Sequence, residues 1–197
     1  MKRIAAILLA AGESRRFGSP KLLVPWQGKP LIRHAAELIA SLGLSQFVIV
    51  LGSEFESVAA ELAQLDCDVV VNHNWSQGQG SSVSCGIENL HPDTDAVIFF
   101  VADQPRITSE LIESIIATAN CRDEEIIIPV CAGKRRNPVL FKKSTFDALK
   151  KLDAGSGGKS IFPDHSFFEM EWPNSGEFAD IDTVKDYMDL VEGDESQ

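Results

Sequence analysis

Apolar and polar positions along the chain follow two periods, one typical of buried β-strands and the other of amphipathic helices. Short apolar runs rich in β-branched and aromatic residues predict strands. Segments with apolar residues at helical spacing predict helices. The predicted strands are residues 2–9, 47–51, 69–71, 96–101, 125–130 and 139–141. The predicted helices are residues 30–42, 55–65, 81–90 and 108–119, the last with Thr108 as its N-cap.

The order of these elements predicts the class of fold. Single helices between successive strands indicate right-handed βαβ crossovers. We therefore expect a three-layer, Rossmann-like α/β fold with a mostly parallel sheet and helices on both faces. No internal repeat or linker divides the chain, so we expect one domain over residues 1–191 and a disordered acidic tail over residues 192–197. Ligands of such sheets bind beyond the carboxyl ends of the strands, which points to the loops after Leu9, Val71 and Val101.

Composition and charge restrict the classes of function. The chain has 29 acidic and 18 basic residues and a net charge of −11, which opposes binding to nucleic acid. No apolar run reaches the roughly 20 residues of a membrane helix, and the first apolar run does not suit a signal peptide. We therefore expect a cytoplasmic protein with no membrane partner. The four cysteines form no CxxC pair, so we expect reduced, buried thiols and neither a zinc site nor disulfides.

The loop after the first predicted strand locally reverses the charge of the chain. Arg15, Arg16 and Lys21 lie close together in it, among two glycines and several small residues. Such a backbone approaches an anion closely, and its N–H groups bind phosphate. The loop matches neither GxGxxG nor the Walker pattern, and we interpret the later stretch 158–160 (Gly-Lys-Ser) as the start of a helix. The sequence predicts a compact anionic ligand here, with an ordinary turn and solvated arginines as the alternative.

From this loop onward the sequence resembles the nucleotidyltransferases that build the dinucleotide form of the molybdenum cofactor, the molybdenum cofactor cytidylyltransferases and the molybdopterin-guanine-dinucleotide synthases. The resemblance covers nearly the whole chain, and its segments are residues 9–18, 20–23, 25–26, 28–31, 72–82, 102–105, 136–139 and 180–183. Residues 10–12 (Ala-Ala-Gly) resemble the cytidylyl branch, because the guanylyl branch typically has two glycines and a lysine there. The resemblance implies a fold of the nucleotide-diphospho-sugar transferase type and dependence on Mg²⁺.

The resemblance also implies a reaction. In it, CMP passes from CTP to the phosphate of molybdopterin, and pyrophosphate is released. A guanylyltransferase that uses GTP and a sugar-phosphate nucleotidyltransferase are alternatives within the same fold. A non-catalytic factor that binds or inserts the molybdenum cofactor is the alternative from another class. A molybdoenzyme or its chaperone is the protein partner that the resemblance implies.

The family pattern assigns roles to the first loop and to the segment before the third predicted helix. Arg16 and Lys21 are the expected catalytic cations on the triphosphate, whereas we expect the side chain of Arg15 to face solvent. The segment 78–82 combines two glycines with a helix N-terminus, which favours an anionic or polar ligand. Trp75 either stacks on a ring or packs a loop. The expected nucleotide-binding residues are Leu9, Ala10, Ala11, Gly12, Ser14, Arg16, Lys21, Asn72, Gly78, Gly80, Ser81 and Ser82.

The carboxylates and the acceptor side complete the expected site. Asp103 follows the most apolar predicted strand and is the expected catalytic carboxylate and Mg²⁺ ligand. The resemblance places a second metal ligand at Asp180 or Asp182; we prefer Asp180 as the ligand and Asp182 as the cap of the last helix. The expected acceptor-binding residues are Gln104, Arg136, Asn137 and Pro138. The four histidines lack metal-ligand spacing and are expected to be structural.

Overall fold

The computed structural model describes residues 2–14 and 16–195 and is built around an eight-stranded sheet. The strands are β1 (Ile4–Ala10), β2 (Pro25–Trp26), β3 (Lys29–Pro30), β4 (Gln46–Leu51), β5 (Asp68–Val71), β6 (Ala96–Val101), β7 (Ile126–Cys131), β8 (Lys134–Arg135), β9 (Val139–Lys142) and β10 (Phe167–Glu171). The helices are α1 (Leu31–Ser41), α2 (Phe55–Leu62), α3 (Gln79–Glu88), α4 (Ser109–Cys121), α5 (Phe146–Lys150) and α6 (Val184–Glu195).

The sheet is mostly parallel, as the sequence predicts. Its strand order is β10-β7-β9-β6-β1-β4-β5, with β8 paired to β7 and with β2 and β3 forming a separate hairpin. β1 is parallel to β4 and β6, β4 is parallel to β5, and β7 is parallel to β10. β9 runs antiparallel to both of its neighbours, β6 and β7. The carboxyl ends of β1, β4, β5 and β6 therefore lie along one edge of the sheet.

Two apolar layers cover the faces of the sheet. Successive side chains of a strand point to opposite faces, so Leu8 and Ile98 pack on one side and Ile7 and Phe99 on the other. Helices α1, α2 and α4 contribute buried residues to the first layer, and α3 and α5 contribute to the second. Burial on both faces explains why β1, β4 and β6 are continuous apolar runs instead of alternating ones.

The predicted elements are present with small shifts at their ends. The Thr108 hydroxyl accepts a hydrogen bond from the Leu111 N–H at 3.4 Å, which confirms the predicted N-cap of α4. α6 continues to Glu195, so residues 192–195 are helical where we expected a disordered tail; Ser196 and Gln197 lie outside the described residues. All four cysteines are free thiols, but only Cys131 is buried as expected; Cys67 and Cys85 are half-buried and Cys121 is exposed. Within the described residues, no helix combines the length and apolarity needed to cross a lipid bilayer.

Candidate functional site

A cavity of about 490 Å³ opens where β1 and β6 end. Its volume lies in the range of roughly 300–1,000 Å³ typical of sites for small molecules and cofactors. We call it the first cavity. It is lined by Leu9, Ala10, Ala11, Gly12, Glu13, Ser14, Arg16, Lys21, Leu22, Trp75, Ser76, Gly78, Gln79, Ser82, Val101, Ala102, Asp103 and Asp182.

The loop after β1 is shaped by one left-handed residue and one buried ring. Ser14 has a φ of +55°, and its carbonyl accepts hydrogen bonds from the N–H groups of Phe17 and Gly18 at 2.9 and 3.2 Å. Its hydroxyl accepts one from the Lys21 N–H at 3.3 Å. The Phe17 ring is buried in a small apolar cluster beside α6, where it meets Tyr187 edge to face. This anchor leaves Arg16 on the wall of the first cavity; Arg15 lies outside the described residues.

An ion-pair network joins this loop to two carboxylates that are distant in sequence. The Lys21 ammonium donates to Asp103 Oδ2 at 2.9 Å and to Asp182 Oδ1 at 3.3 Å. Arg16 Nη2 lies 2.9 Å from Asp182 Oδ2. The Lys21 side chain is only 12% exposed, so its charge is poorly screened, whereas the Arg16 side chain is 72% exposed. An exposed pair contributes little to stability, so Arg16 is free to exchange its partner for a ligand anion.

The two carboxylates form a donor set that fits a hard cation. Asp103 and Asp182 each direct an oxygen to the same point, now held by the Lys21 ammonium. Among residues 2–14 and 16–195, no group of three or more His, Cys, Asp or Glu side chains forms a metal site by itself. Mg²⁺ commonly takes one or two protein carboxylates and completes its shell with substrate phosphates and water. The arrangement therefore fits a divalent ion that arrives with a polyphosphate.

The structure changes the preference between Asp180 and Asp182. Asp182 is not the cap of α6: the Asp186 carboxylate accepts hydrogen bonds from the N–H groups of Asp182 and Thr183 and from the Thr183 hydroxyl. Asp180 instead accepts a hydrogen bond from the Gln104 side-chain amide at 2.8 Å. Desolvation, followed by the nearby charges of Asp103 and Asp182, raises the pKa of Asp180. Of the two, Asp182 faces the cations and is the better candidate for a metal ligand.

Gly52, directly after β4, packs against two residues that line the first cavity, Ala11 and Trp75. A Cβ at this position would lie 2.6 Å from the Ala11 carbonyl oxygen and 2.7 Å from Trp75 Cβ. No side chain fits between these groups, so glycine allows the loops after β1, β4 and β5 to touch. Trp75 is half-buried, packs on Gly52 and also lines the cavity, which combines the two roles considered for it.

The first turn of α3 is bonded more within the protein than the sequence predicts. The Gly80 N–H donates to the Ala154 carbonyl at 2.9 Å, so it is not free for an anion. The Asn72 side-chain amide is buried and donates to the hydroxyls of Ser81 and Ser82, each at 2.9 Å. Of the expected nucleotide-binding residues, Asn72, Gly80 and Ser81 do not line the first cavity, because these internal bonds turn them into the protein.

The expected acceptor residues are separated by the fold. Gln104 and Pro138 border a very small cavity against α1, and Arg136 borders an open cleft beside β8. The buried Arg136 Nε has no hydrogen-bond partner among the residues that the structure describes. Asn137 lines a second cavity of about 250 Å³. This second cavity is lined by Leu9, Gln79, Val83, Phe99, Val101, Asn137, Val139, Phe141, Leu149, Gly157, Gly158, Lys159 and Phe162.

Sequence reasoning missed Gly52, which packs behind the first cavity, and several residues that line the two cavities. Gly52 follows the carboxyl end of β4, so the rule that directed attention to the other strand ends applies to it equally. Gln79 lines both cavities at the start of α3. The segment 153–162 has no recognisable motif, and only folding brings it against α3. The histidines form no metal site within the described residues, and His34 bonds the Trp26 carbonyl at 2.8 Å.

Comparison with known proteins agrees with the fold. The sequence profile of the MobA-like NTP transferase domain matches residues 6–168. Nicotine blue oxidoreductase of Paenarthrobacter nicotinovorans is 34% identical over 170 residues, covering 81% of this chain and 80% of that protein. A probable molybdenum cofactor guanylyltransferase of Bacillus cytotoxicus is 31% identical over 207 residues, covering 97% and 98%.

A solved structure shares nearly the whole fold. Rv0371c of Mycobacterium tuberculosis superposes with a TM-score of 0.86 at 26% identity, over 97% of this chain and 98% of its own. A further structure of Rv0371c, in complex with manganese, has a TM-score of 0.81 at 24% identity, covering 97% and 99%. The expected three-layer fold of the nucleotide-diphospho-sugar transferase type is confirmed.

Proposed function

The chain belongs to the MobA-like NTP transferase family and is a nucleotidyltransferase, and on that premise we propose that it transfers CMP from CTP to the phosphate of molybdopterin, with release of pyrophosphate. The observation that carries this proposal is the network around Lys21. One partly buried ammonium, one exposed guanidinium and two carboxylates meet at the wall of the first cavity. This is the charge pattern that a triphosphate and its divalent cation require.

The residues of this site act by holding charge and by orienting the substrates. In the reaction, an oxygen of the acceptor phosphate bonds to the α-phosphorus of the nucleotide, and the bond from that phosphorus to the leaving pyrophosphate breaks. Both reacting groups belong to substrates, so the protein contributes position and electrostatic stabilisation. Arg16 grips two phosphate oxygens at once, and Lys21 supplies a point charge in a partly desolvated position.

Mg²⁺ is the cation that we propose for Asp103 and Asp182, and when bound it neutralises charge on the phosphates. The manganese complex of Rv0371c supports a divalent ion in a protein of this fold. With such an ion on the two carboxylates, the Lys21 ammonium would instead contact the phosphates. Removal of divalent ions with EDTA is then expected to abolish turnover, and Mg²⁺ is expected to restore it.

The proposed preference for CTP depends on the alanines of the first loop. Ala10 and Ala11 line the first cavity at the positions where the guanylyl branch typically has glycines, and this resemblance supports CTP. GTP is the alternative nucleotide, because the Bacillus cytotoxicus relative is named a guanylyltransferase.

The decisive experiment measures pyrophosphate release with molybdopterin, Mg²⁺ and each of CTP, GTP, ATP and UTP in turn. We expect release with CTP, and GTP supporting release instead would assign the chain to the guanylyl alternative. Thermal unfolding with the same nucleotides gives a second readout, because a ligand stabilises by RT ln(1 + [L]/Kd). Stabilisation by a nucleotide without any release of pyrophosphate is the result expected of a non-catalytic binding or insertion factor.

Reductase activity is the second candidate function, because one relative at 34% identity is named an oxidoreductase. The same protein sample can be mixed with nicotine blue and NADH or NADPH, and oxidation of the dinucleotide can be followed by its absorbance. If the chain is a transferase, we expect no oxidation of NADH or NADPH. Oxidation of the dinucleotide in the absence of pyrophosphate release would favour the reductase and contradict the transferase.

A further inference from the structure

The second cavity lies against the first and is divided from it by a thin wall. Leu9 and Val101 line both cavities and are directly paired across β1 and β6. Gln79 of α3 is the third residue that the two share. Asp103, which we assign to the metal and the triphosphate, follows Val101 by two positions. A molecule seated in the second cavity therefore has a short path to the reacting phosphate.

The walls of the second cavity are aromatic and apolar. The rings of Phe99 and Phe141 meet edge to face with centroids 5.8 Å apart, and those of Phe141 and Phe162 are tilted at 6.2 Å. All three rings are buried. The cavity volume of about 250 Å³ is below the usual range for a whole ligand, so it fits one ring system and not a complete nucleotide. Aromatic walls favour a planar ring, which they contact by edge or face.

Two kinds of polar group interrupt these walls. Asn137 and Gln79 contribute side-chain amides, which are both donors and acceptors and match the edge of a heterocycle. Lys159 is exposed at the rim and also borders the open cleft beside β8. This cleft is lined by four cations and two carboxylates, which are Lys134, Arg135, Arg136, Lys159, Glu169 and Glu171. Lys159 makes no ion pair with any other residue that the structure describes. In a chain of net charge −11, such a cation attracts an anion to this rim.

We propose that the second cavity binds the ring of the acceptor, a planar heteroaromatic system, and that Lys159 contacts an anionic group on this ring system other than the phosphate that attacks the nucleotide. The segment 157–162 thereby becomes a determinant of acceptor specificity that no sequence motif marks. The inference rests on the proposed function for its assignment of the ring to the acceptor. The cavity itself can be tested without turnover.

The test uses two fluorescent probes on the protein alone, without nucleotide or metal. Pterin-6-carboxylate carries both the ring and the anion, whereas pterin carries the ring only. We expect wild-type protein to bind both, and Lys159→Ala to weaken pterin-6-carboxylate by about tenfold while pterin is unchanged. Val83→Phe, which fills the second cavity from α3, should abolish binding of both probes. Lys151→Ala removes an exposed lysine outside the cavity and serves as the matched control.

Each outcome separates the inference from the proposed function. Nucleotide-induced thermal stabilisation should be the same in wild type, Lys159→Ala and Val83→Phe, which shows that the variants fold and keep the first cavity. If the probes bind with the expected pattern but no pyrophosphate is released, the inference about the second cavity stands and the proposed transferase function is rejected. The inference is overturned if the wild-type protein binds neither probe, or if neither variant changes the binding of the probes. Either result overturns it even when pyrophosphate is released.

Discussion

The loop after β1 and the first turn of α3 both contain glycines and polar side chains that predict contact with a nucleotide, yet their bonding differs. In the loop, Lys21 reaches Asp103 and Asp182, which are 82 and 161 positions away, and all three line the first cavity. At α3, buried Asn72 bonds Ser81 and Ser82, only 9 and 10 positions away. Ionic groups on a cavity wall can exchange partners with a ligand. Buried groups with satisfied hydrogen bonds hold the fold in place.

The strongest test of this comparison is Asp103→Asn. The amide is nearly isosteric but lacks the anionic oxygen that Mg²⁺ prefers, so we expect kcat/KM for pyrophosphate release to fall about a hundredfold or more. The thermal midpoint should stay close to that of wild type. Asp93→Asn, at an exposed carboxylate paired with Arg3, is the control and should retain activity. Full activity of Asp103→Asn at saturating Mg²⁺ would remove Asp103 from the site.

A smaller loss is expected from Arg16→Ala. A charged hydrogen bond to phosphate contributes about 1.5–3 kcal/mol, which corresponds to a loss in kcat/KM of roughly tenfold to a few hundredfold. Arg16→Lys should recover part of it, because lysine keeps the charge and loses the forked geometry. Arg15→Ala should have far less effect, since we expect that side chain to face solvent. Steady-state kinetics at one Mg²⁺ concentration compare the three variants. Equal losses of kcat/KM at both arginines would indicate a diffuse patch of positive charge instead of a specific contact by Arg16.

Asn72→Ala tests the other side of the comparison. The substitution removes the amide that donates hydrogen bonds to the Ser81 and Ser82 hydroxyls, so the free energy of unfolding should fall by about 1–3 kcal/mol. Urea unfolding measures this, and nucleotide affinity of the folded protein should change little. If affinity for CTP or GTP fell sharply at unchanged stability, Asn72 would be a direct ligand of the nucleotide.

The smallest effect is expected at Asp186, whose bonding is local, like that of Asn72. Asp186→Ala removes the acceptor at the start of α6 and should lower the free energy of unfolding by about 1 kcal/mol at pH 7. Hydrogen bonds from Thr183 hold the pKa of Asp186 below its usual 3.8. This stabilisation is therefore present above pH 3.8 and lost as the pH falls through the lower folded value. Urea unfolding of both proteins from pH 7 down to pH 3 should show a difference that narrows only at the acidic end; a constant difference would assign the effect to packing.

The sequence predicts the fold better than the site. Strands and helices are indicated by patterns within a short stretch of sequence, whereas the site is formed by residues far apart in the chain. The apolar runs of β1 and β6 are continuous, and their burial on both faces follows from the parallel sheet. The cations of the first loop are evident as a local reversal of charge. Their partners are not, because the Lys21–Asp182 pair depends on how the whole chain closes. Asp180 and Asp182 are two positions apart and could not be separated until the direction of each side chain was known.

The segment 153–162 shows the same limit. Nothing in its composition predicts that the Ala154 carbonyl accepts a hydrogen bond from the Gly80 N–H. Nor does it predict that Gly158 packs against Phe141, whose ring would lie 3.2 Å from a Cβ added at Gly158. Both contacts join parts of the chain that are about 70 and 17 positions apart. Motif reasoning assigned Gly80 to the ligand because it could not include the segment that covers this residue; Gly78 and Ser82 do line the first cavity.

The direction of β9 has a consequence for where evolution can place specificity. A strand that runs against its neighbours presents its beginning, not its end, at the edge where β1 and β6 finish. The residues that precede β9, including Asn137, therefore reach the ligand edge although no strand has just ended there. We expect the residues between β8 and β9 to vary with the acceptor, because they reach this edge of the sheet without belonging to the loop after β1 that we assign to the nucleotide. Relatives that share that loop and differ in acceptor should then differ most in the residues before β9.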